Sequence, residues 1–275
     1  YVTLAIHGQS FGASVVRVGD ENLFTLDQQF ESDELRILAL AARELRAPLT
    51  DAMLTVQQLS LENAAQSKLK RSLYQLLRMI GNMSDASGPE RQNVDAVFRE
   101  IAEKVTALTD TTGIQISYSG LQTDCSCVFD RQLMERAVLN MVSNALKFTS
   151  AGGTVHLLLR ASGKQFCFSV TDTGSGIPKE DQATLFSRYL REPCLEDSRH
   201  GIGLGMLLIR NAAALHRGAV LVDHPEKTGT RVTLTFTSVP DDTAKLRTVL
   251  LGADYAGEQD HALIELSELL PYNRY

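Results

Sequence analysis

The chain lacks most of the features that mark a secreted, membrane-spanning or nucleic-acid-binding protein. Only four cysteines occur among 275 residues, too few for a disulfide scaffold of this length, so we expect a reducing, cytoplasmic setting. No apolar run approaches the roughly 18–20 residues that cross a bilayer, and no signal peptide is visible. Basic residues number 27 against 33 acidic ones, for a net charge of −6. They form no basic block, which argues against nucleic acid as the main partner. The first residue is Tyr1 rather than Met. We therefore expect a fragment of a longer protein that could carry sensor or membrane-anchoring segments upstream.

The composition is otherwise that of a folded chain, with 44% hydrophobic and 22% charged residues, and the length suggests about two domains. At the amino terminus, residues 2–6, 13–18 and 23–26 alternate between apolar and polar types. This pattern predicts three short antiparallel strands. Because thirty residues cannot bury a core of their own, we interpret 1–30 as the last strands of a truncated sensor domain, for which a PAS-like domain is one candidate.

From residue 32 onwards the hydrophobic residues follow the period of a helix. They recur at alternating spacings of three and four for over three heptads, at Leu35, Leu38, Ala42, Leu45, Leu49, Ala52, Val56 and Leu59. A second series has the same spacing, at Leu69, Leu73, Leu76, Ile80 and Met83. The polar stretch 60–66 is the predicted turn between two helices, and Pro48 is expected to kink the first one.

We therefore predict a helical hairpin over residues 31–88. Each helix offers a single apolar stripe, which favours burial in a homodimer as a four-helix bundle. Packing of the hairpin on its own chain is the alternative.

After a break at residues 85–89, helix-like and strand-like patterns alternate as far as residue 240. Helices are predicted near 95–110, 131–148 and 204–216. Strands are predicted near 114–119, 126–129, 154–161, 165–171, 219–223 and 230–237. Some consecutive strands adjoin with no helix between them, so the sheet must be mixed and the fold class α+β. The tail at 241–275 is polar, with one short helix predicted over 262–270.

Three polar residues lie on one face of the predicted helix 131–148. Asn140 and Asn144 are four residues apart, and Lys147 follows three residues later, so all three share that face. Amide oxygens suit the hard cation Mg²⁺, and an ammonium neutralises phosphate charge. The pattern indicates a magnesium-phosphate site, against the alternative of helix capping or solvent exposure.

Three glycine-bearing segments follow this helix, around Gly174, Gly203 and Gly229. Each segment alone is weak evidence for a phosphate site, because a glycine cluster more often forms a turn. The second segment opens a predicted helix, whose first amides suit phosphate. Its third glycine comes one position too early for the dinucleotide-binding pattern.

Taken together, these segments stand in the order of a known set of motifs. Asn140-x-x-x-Asn144-Ala-x-Lys147-Phe-Thr is followed by Asp172-x-Gly174-x-Gly176-Ile177, Leu185-Phe186-Ser187-Arg188-Tyr189, Gly201-x-Gly203-Leu204-Gly205 and Thr228-Gly229-Thr230. In this order they resemble the N, G1, F, G2 and G3 boxes of the sensor histidine kinase catalytic domain, over about residues 93–238. The resemblance implies a Bergerat fold at 89–240, an α/β sandwich with helices on one face of a mixed sheet. It also implies two-component signalling with ATP and Mg²⁺ as cofactors.

The resemblance gives each matched residue a role. Asp172 would accept from the adenine amino group, and Asn144 would bind Mg²⁺ on the triphosphate. Asn140 and Lys147 would lie beside the phosphates. The other matched residues would approach the base, cover the nucleotide or flank the phosphates at the hinge of a lid spanning about 178–200: Gly174, Gly176, Ile177, Phe186, Arg188, Gly201, Gly203, Leu204, Gly205 and Thr230.

Asn140 also separates subclasses of this superfamily. The resemblance places it where hydrolysing relatives carry a glutamate that activates water. An amide cannot act as a general base, so the site is expected to be of the kinase type.

The first hairpin helix resembles the family and then departs from it. Histidine kinases of the commonest type carry His-Glu-Leu-Arg-Thr-Pro-Leu there, whereas this chain reads Arg43-Glu44-Leu45-Arg46-Ala47-Pro48-Leu49. None of the six histidines lies between residues 33 and 81; His156, His216 and His224 are expected to be structural. Neutral imidazole is a nucleophile, but a guanidinium stays protonated with a pKa above about 12. Glu44, the family's candidate base, has no imidazole proton to take, and Ala47 replaces the residue that positions water in the phosphatase step.

These residues lead to three hypotheses. The first is a degenerate sensor histidine kinase that binds Mg·ATP as a homodimer, cannot phosphorylate itself by the usual route, and signals through a response regulator or a partner kinase. The second is an active kinase that phosphorylates a histidine on a partner chain, or an atypical residue such as Arg43. The third is a non-enzymatic dimeric interaction module.

Overall fold

The computed structural model describes residues 2–6, 9–18, 21–26, 45, 48–49, 51–56, 63–82, 88–121, 124–177, 204–225, 229–239, 260–267 and 269–270. In chain order its elements are β1 (Val2–Ile6), β2 (Gln9–Val18), β3 (Glu21–Leu26), α1 (Asn63–Asn82), β4 (Glu90–Asn93), α2 (Val94–Thr109), β5 (Gln115–Ser119), β6 (Ser126–Phe129), α3 (Arg131–Phe148), β7 (Thr154–Ser162), β8 (Gln165–Asp172), α4 (Leu204–Leu215), β9 (Val220–Asp223), β10 (Arg231–Thr237) and α5 (His261–Glu265). Residues 51–56 are also helical.

The main sheet contains eight of the described strands, in the order β3-β2-β1-β9-β10-β8-β7-β5. Strands β5 and β7 run parallel, and the other described neighbours are antiparallel. The predicted mixed sheet is therefore confirmed. The sequence missed β4, which pairs with β6 in a separate two-stranded sheet, because Glu-Arg-Gln-Asn carries no apolar alternation.

Helices cover one face of the main sheet. Along β8 the buried residues alternate with half-buried ones, as expected of a strand with a single covered face. The ring of Phe98 on α2 lies 4.6 Å from that of Phe168 and 5.6 Å from that of Phe236, centroid to centroid. Side chains of α3 and α4 complete the same core. The described part of residues 89–240, the predicted catalytic region, is thus an α/β sandwich.

Helix α3 begins at a defined cap. The Oδ1 of Asp130 accepts from the backbone N–H of Leu133 at 2.8 Å, which satisfies one of the first amides of the helix. Asp130 N–H in turn donates to Nε2 of the buried His216 at 2.9 Å, and Nδ1 of that ring lies 2.7 Å from the Ala212 carbonyl. Burial lowers the pKa of His216, which is consistent with a neutral ring that donates from Nδ1. His216 is therefore structural, as predicted.

Residues 49–56 and helix α1, which belong to the predicted hairpin, meet through a buried apolar cluster, here named the hairpin cluster. Leu49, Met53 and Val56 pack with residues of the second helix, namely Leu73, Tyr74, Leu77 and Ile80. Helix α1 begins at Asn63, inside the stretch predicted as a turn, where two alanines of high helix propensity follow. Two residues of the predicted second stripe, Leu69 and Leu76, remain 40% and 44% exposed.

Strands β1–β3 and helix α5 pack on the central region. Strand β1 pairs with β9 through Val2 and Leu221, so the amino-terminal strands continue the main sheet. Helix α5 ends at Glu265, short of the predicted 270, and its buried Ile264 joins the hairpin cluster. No helix in the described ranges is both long and apolar enough to cross a membrane.

Candidate nucleotide-binding site

The site is organised around a buried carboxylate at the end of β8. Asp172 is 6% exposed, and its Oδ1 accepts from the backbone N–H groups of Gly174 at 2.8 Å and Thr230 at 3.2 Å. Burial raises the pKa of the Asp172 carboxyl, while these two hydrogen bonds and the nearby His224 oppose the shift. Within the described ranges no group donates to the other oxygen, Oδ2. Among the described residues, Asp172 is thus a fixed acceptor with one oxygen uncommitted.

Gly229 allows the third glycine segment to lie against this carboxylate. Its φ of +99° favours glycine, and a Cβ at this position would collide with the Asp172 carbonyl oxygen. The adjacent Thr230 is buried, and its carbonyl accepts from the Asp172 N–H at 2.9 Å. The structure therefore brings together two segments that the sequence predicts as one site.

The first glycine segment connects Asp172 to the end of α3. Ser175 N–H donates to the Phe148 carbonyl at 3.4 Å, and Phe148 is the last residue of α3. Gly174, Gly176 and Ile177 are half-buried in this segment. The carboxyl-terminal turns of α3 thus lie beside the Asp172 loop.

Asn144 and Lys147 stand on those last turns of α3. Both are half-buried, and Lys147 lies in the last turn of the helix, where a cation is favoured by the helix dipole. Asn144 makes no side-chain hydrogen bond to any other described residue. Its amide oxygen is therefore available to a hard cation, which fits the chemistry that Mg²⁺ requires.

Asn140, one turn earlier, is enclosed by protein groups. It is 1% exposed, and its Nδ2 donates to the Arg136 carbonyl at 2.9 Å and to Glu265 Oε2 at 3.0 Å. Its Oδ1 lies 3.4 Å from Nη2 of Arg78. The resemblance implies a position beside phosphates, whereas in this structure both Nδ2 protons are taken by protein oxygens.

The first turn of α4 lies directly against Asn140. A Cβ at Gly205 would stand 2.6 Å from Asn140 Oδ1, so only glycine allows this close approach. The first amides of α4 are thereby placed next to α3, and a helix amino terminus favours phosphate. The structure thus places Gly205 of the second glycine segment against Asn140 of the N box.

The other predicted site residues lie outside the described residues. They are the hairpin residues Arg43, Glu44 and Ala47, the lid 178–200 with Phe186 and Arg188, and Gly201 and Gly203. Of Leu204 the structure describes only the backbone, at the start of α4.

Two charged residues that contact Asn140, namely Arg78 and Glu265, were not predicted from the sequence as part of the site. Each interrupts an apolar stretch, at Leu77-Arg78-Met79-Ile80 and at Ile264-Glu265-Leu266. A charged residue at an otherwise apolar helical position is the one signal that pointed to them, because such a side chain requires a polar partner when buried.

Comparisons with known proteins agree with this geometry. Residues 129–240 match the family described as histidine kinase-, DNA gyrase B- and HSP90-like ATPase. The chain is 30% identical over 223 residues to the adaptive-response sensory kinase SasA of Prochlorococcus marinus, covering 74% of this chain and 58% of that protein. It is 28% identical over 242 residues to SasA of Crocosphaera subtropica, covering 78% and 63%. The chain thus spans about six tenths of the length of these relatives.

A solved structure shows the same fold. The crystal structure of full-length ShkA in complex with AMPPNP superposes with a TM-score of 0.59 at 22% identity, over 74% of this chain and 46% of ShkA. The match of residues 129–240 to the ATPase family model and this superposition agree on the fold, and the α/β fold predicted for this region is confirmed.

Proposed function

We propose that this chain is the core of a two-component signalling protein that binds Mg·ATP but does not phosphorylate its own hairpin. The observation that carries the nucleotide assignment is the buried Asp172, whose Oδ1 is held by two backbone amides. The relatives named above are sensory kinases covered over only part of their length, so the activity of the whole protein is part of the proposal.

The adenine base is assigned to Asp172. Its uncommitted Oδ2 would accept the exocyclic amino group of adenine, and a buried carboxylate makes a strong hydrogen bond of this kind. Fixing Oδ1 with the amides of Gly174 and Thr230 prevents the carboxylate from turning away. Guanine carries a carbonyl in place of this amino group and would leave the carboxylate without a donor, so the site should prefer adenine nucleotides.

The triphosphate is assigned to the space between α3 and α4. Asn144 would hold Mg²⁺ through its amide oxygen, and Lys147 would offset phosphate charge. When bound, the metal ion neutralises charge on the transferring phosphoryl group. Asn140 offers no general base for water, which favours phosphotransfer over hydrolysis.

The loss of self-phosphorylation is assigned to Arg43. Its guanidinium stays protonated and has no free lone pair, and residues 33–81 contain no histidine. Glu44 then lacks the imidazole from which the family's base takes a proton. Ala47 lacks the hydroxyl or amide that positions water in the family's phosphatase step. The alternative is transfer to a histidine on a partner chain. The complete set of nucleotide-binding motifs is compatible with this reaction as well.

A homodimer through the hairpin is the proposed assembly. Part of the apolar surface is already covered within the chain, as Leu73, Leu77 and Ile80 are buried. Four leucines remain 40% or more exposed, at Leu45, Leu54, Leu69 and Leu76. A second hairpin in a four-helix bundle would cover them, and a response regulator or a partner kinase would receive the signal.

Calorimetry with Mg·ATP and Mg·GTP tests this proposal. Wild-type protein should bind ATP, the Asp172→Asn variant should bind it at least about tenfold more weakly, and GTP should bind more weakly than ATP. Absence of ATP binding by the folded wild type would leave the non-enzymatic interaction module as the better account.

A further inference from the structure

The carboxyl-terminal segment 260–267, here named the C-terminal clamp, joins the hairpin to the catalytic region. Ile264 is fully buried among the hairpin residues Leu49, Leu73 and Leu77. The Ser267 carbonyl accepts from Nε of Arg71 at 2.9 Å. At the other end of the segment, His261 Nδ1 lies 3.2 Å from Glu135 Oε2 on α3. The clamp therefore contacts α1 on one side and α3 on the other.

Glu265 places a negative charge at the centre of this junction. Its side chain is completely buried, and Oε2 accepts from Nε of Arg78 at 3.2 Å and from Nδ2 of Asn140 at 3.0 Å. Arg78 also donates to the Ser143 hydroxyl at 3.1 Å. A buried carboxylate of this kind is tolerated only while its partners stay in place. The contact is thus specific to one arrangement of hairpin and catalytic region.

This arrangement conflicts with a nucleotide in the proposed site. Asn140 has two Nδ2 protons, and Arg136 and Glu265 take both of them. A triphosphate brought beside Asn140 would also meet the Glu265 carboxylate, and like charges at close range in a low dielectric repel strongly. The amide of Asn140 can serve the clamp or the phosphates, but not both at once.

We propose that the C-terminal clamp is an autoinhibitory contact in which Glu265 holds Asn140 and Arg78, and which Mg·ATP must displace. The inference rests on the proposed function, because it takes Asn140 to lie beside the phosphates. Displacement exchanges one anion for another: the phosphate takes the place of the carboxylate next to Asn140, and Arg78 retains an anionic partner. The clamp is released from Asn140 in the same step.

Competition of this kind is reciprocal. If the clamp weakens nucleotide binding, the nucleotide must weaken the clamp by the same factor. Two variants loosen the clamp by different means. Glu265→Gln removes the charge at Arg78 while keeping the shape, and Ile264→Ala removes apolar contact with the hairpin without touching Asn140.

Asp95→Asn is the matched control. Asp95 is also a buried carboxylate, held by Arg99, Tyr118 and the Leu121 N–H, and it belongs to neither the clamp nor the nucleotide site. The substitution removes a charge from a network of similar size. It therefore reports the effect of a weakened fold alone.

The experiment measures binding of Mg·AMPPNP by calorimetry on the full chain, with amide hydrogen exchange of residues 261–267 recorded with and without nucleotide. Both clamp variants should bind about fivefold or more tightly than wild type, and Asp95→Asn should not. Nucleotide should accelerate exchange of 261–267 in the wild type, a result that needs no variant to fold.

The outcomes separate the two proposals. Equal affinity in wild type and folded clamp variants, with exchange of 261–267 unchanged by nucleotide, overturns the clamp and leaves the nucleotide site standing. Absence of AMPPNP binding in every folded variant overturns the nucleotide site and the clamp with it.

Discussion

The backbone N–H of Thr230 donates to Oδ1 of Asp172, joining residues that lie 58 positions apart in the chain. Strands β8 and β10 are direct neighbours in the sheet, so their ends present Asp172 and Thr230 to one another. The Gly174 amide completes the same arrangement. One carboxylate is thereby fixed by two of the glycine segments that define the proposed nucleotide site.

Replacing Asp172 by Asn should separate binding from stability. The variant should lose about tenfold or more in ATP affinity, because a charged acceptor for adenine is lost. Its thermal stability near neutral pH should be equal to or above that of wild type, because the buried charge is removed and the amide oxygen still accepts from Gly174 and Thr230. Asp223→Asn, a half-buried aspartate on β9, is the control. Equal ATP affinity in wild type and Asp172→Asn would exclude the adenine assignment.

The pH dependence of ATP binding should reflect the titration of the Asp172 carboxyl. Burial raises the pKa of Asp172 in the folded protein, so the carboxylate form is disfavoured by folding. Its protonated form therefore favours the fold at low pH, and that contribution is lost as pH rises through the folded pKa. ATP affinity should change in the opposite sense and fall on acidification, beginning above the ordinary aspartate pKa of about 3.9. Fluorescence titration across acid pH measures this, and a profile shared with Asp172→Asn would contradict it.

A glycine comparison tests the packing of the third segment. Gly229 and Gly152 both have positive φ, but a Cβ at Gly152 would meet nothing within 4 Å, whereas one at Gly229 would collide with the Asp172 carbonyl oxygen. Gly152→Ala should cost about 1 kcal/mol of unfolding free energy from backbone strain alone, and Gly229→Ala should cost more. Urea denaturation gives both values, and equal losses would mean that the segment relaxes without cost.

The exposed leucines of α1 give a prediction about assembly. Leu76→Glu should shift the protein towards monomer in sedimentation velocity, since a charge would enter the proposed bundle interface. Ala107→Glu, at an exposed position of α2 outside the hairpin, should leave the distribution close to that of wild type. A wild-type chain that sediments as a monomer at all concentrations would favour the hairpin packed on its own chain.

Local patterns predicted most of the catalytic region. Helix α3 spans Arg131–Phe148, matching the predicted 131–148, because Asp130 is a strong cap and the apolar residues behind it keep a constant helical period. Strands β7, β8 and β10 agree within one residue, since each alternates along one covered face. The order of the glycine segments predicted that Asp172 and Thr230 share a site, although no local pattern specifies their hydrogen bond.

The contacts that the sequence did not predict are long-range. Arg78 and Glu265 are 187 residues apart, and nothing in the period of either helix specifies the other as its partner. The predicted tail helix was too long because Leu266, Leu269 and Leu270 continue the apolar pattern after the helix has ended; all three still pack on the core. The sequence thus predicted a helix longer than the observed one, and it did not predict that this segment packs on the core.

The central claim is that the chain binds Mg·ATP but lacks the phosphoacceptor histidine on its hairpin. One labelling experiment tests this claim most directly. Wild type and Arg43→His are incubated with Mg²⁺ and γ-labelled ATP, and the hairpin peptides are analysed for acid-labile, base-stable phosphate. We predict no such label on wild type and a gain of label on Arg43→His. Acid-labile, base-stable phosphate on residues 31–88 of the wild-type chain would contradict the account.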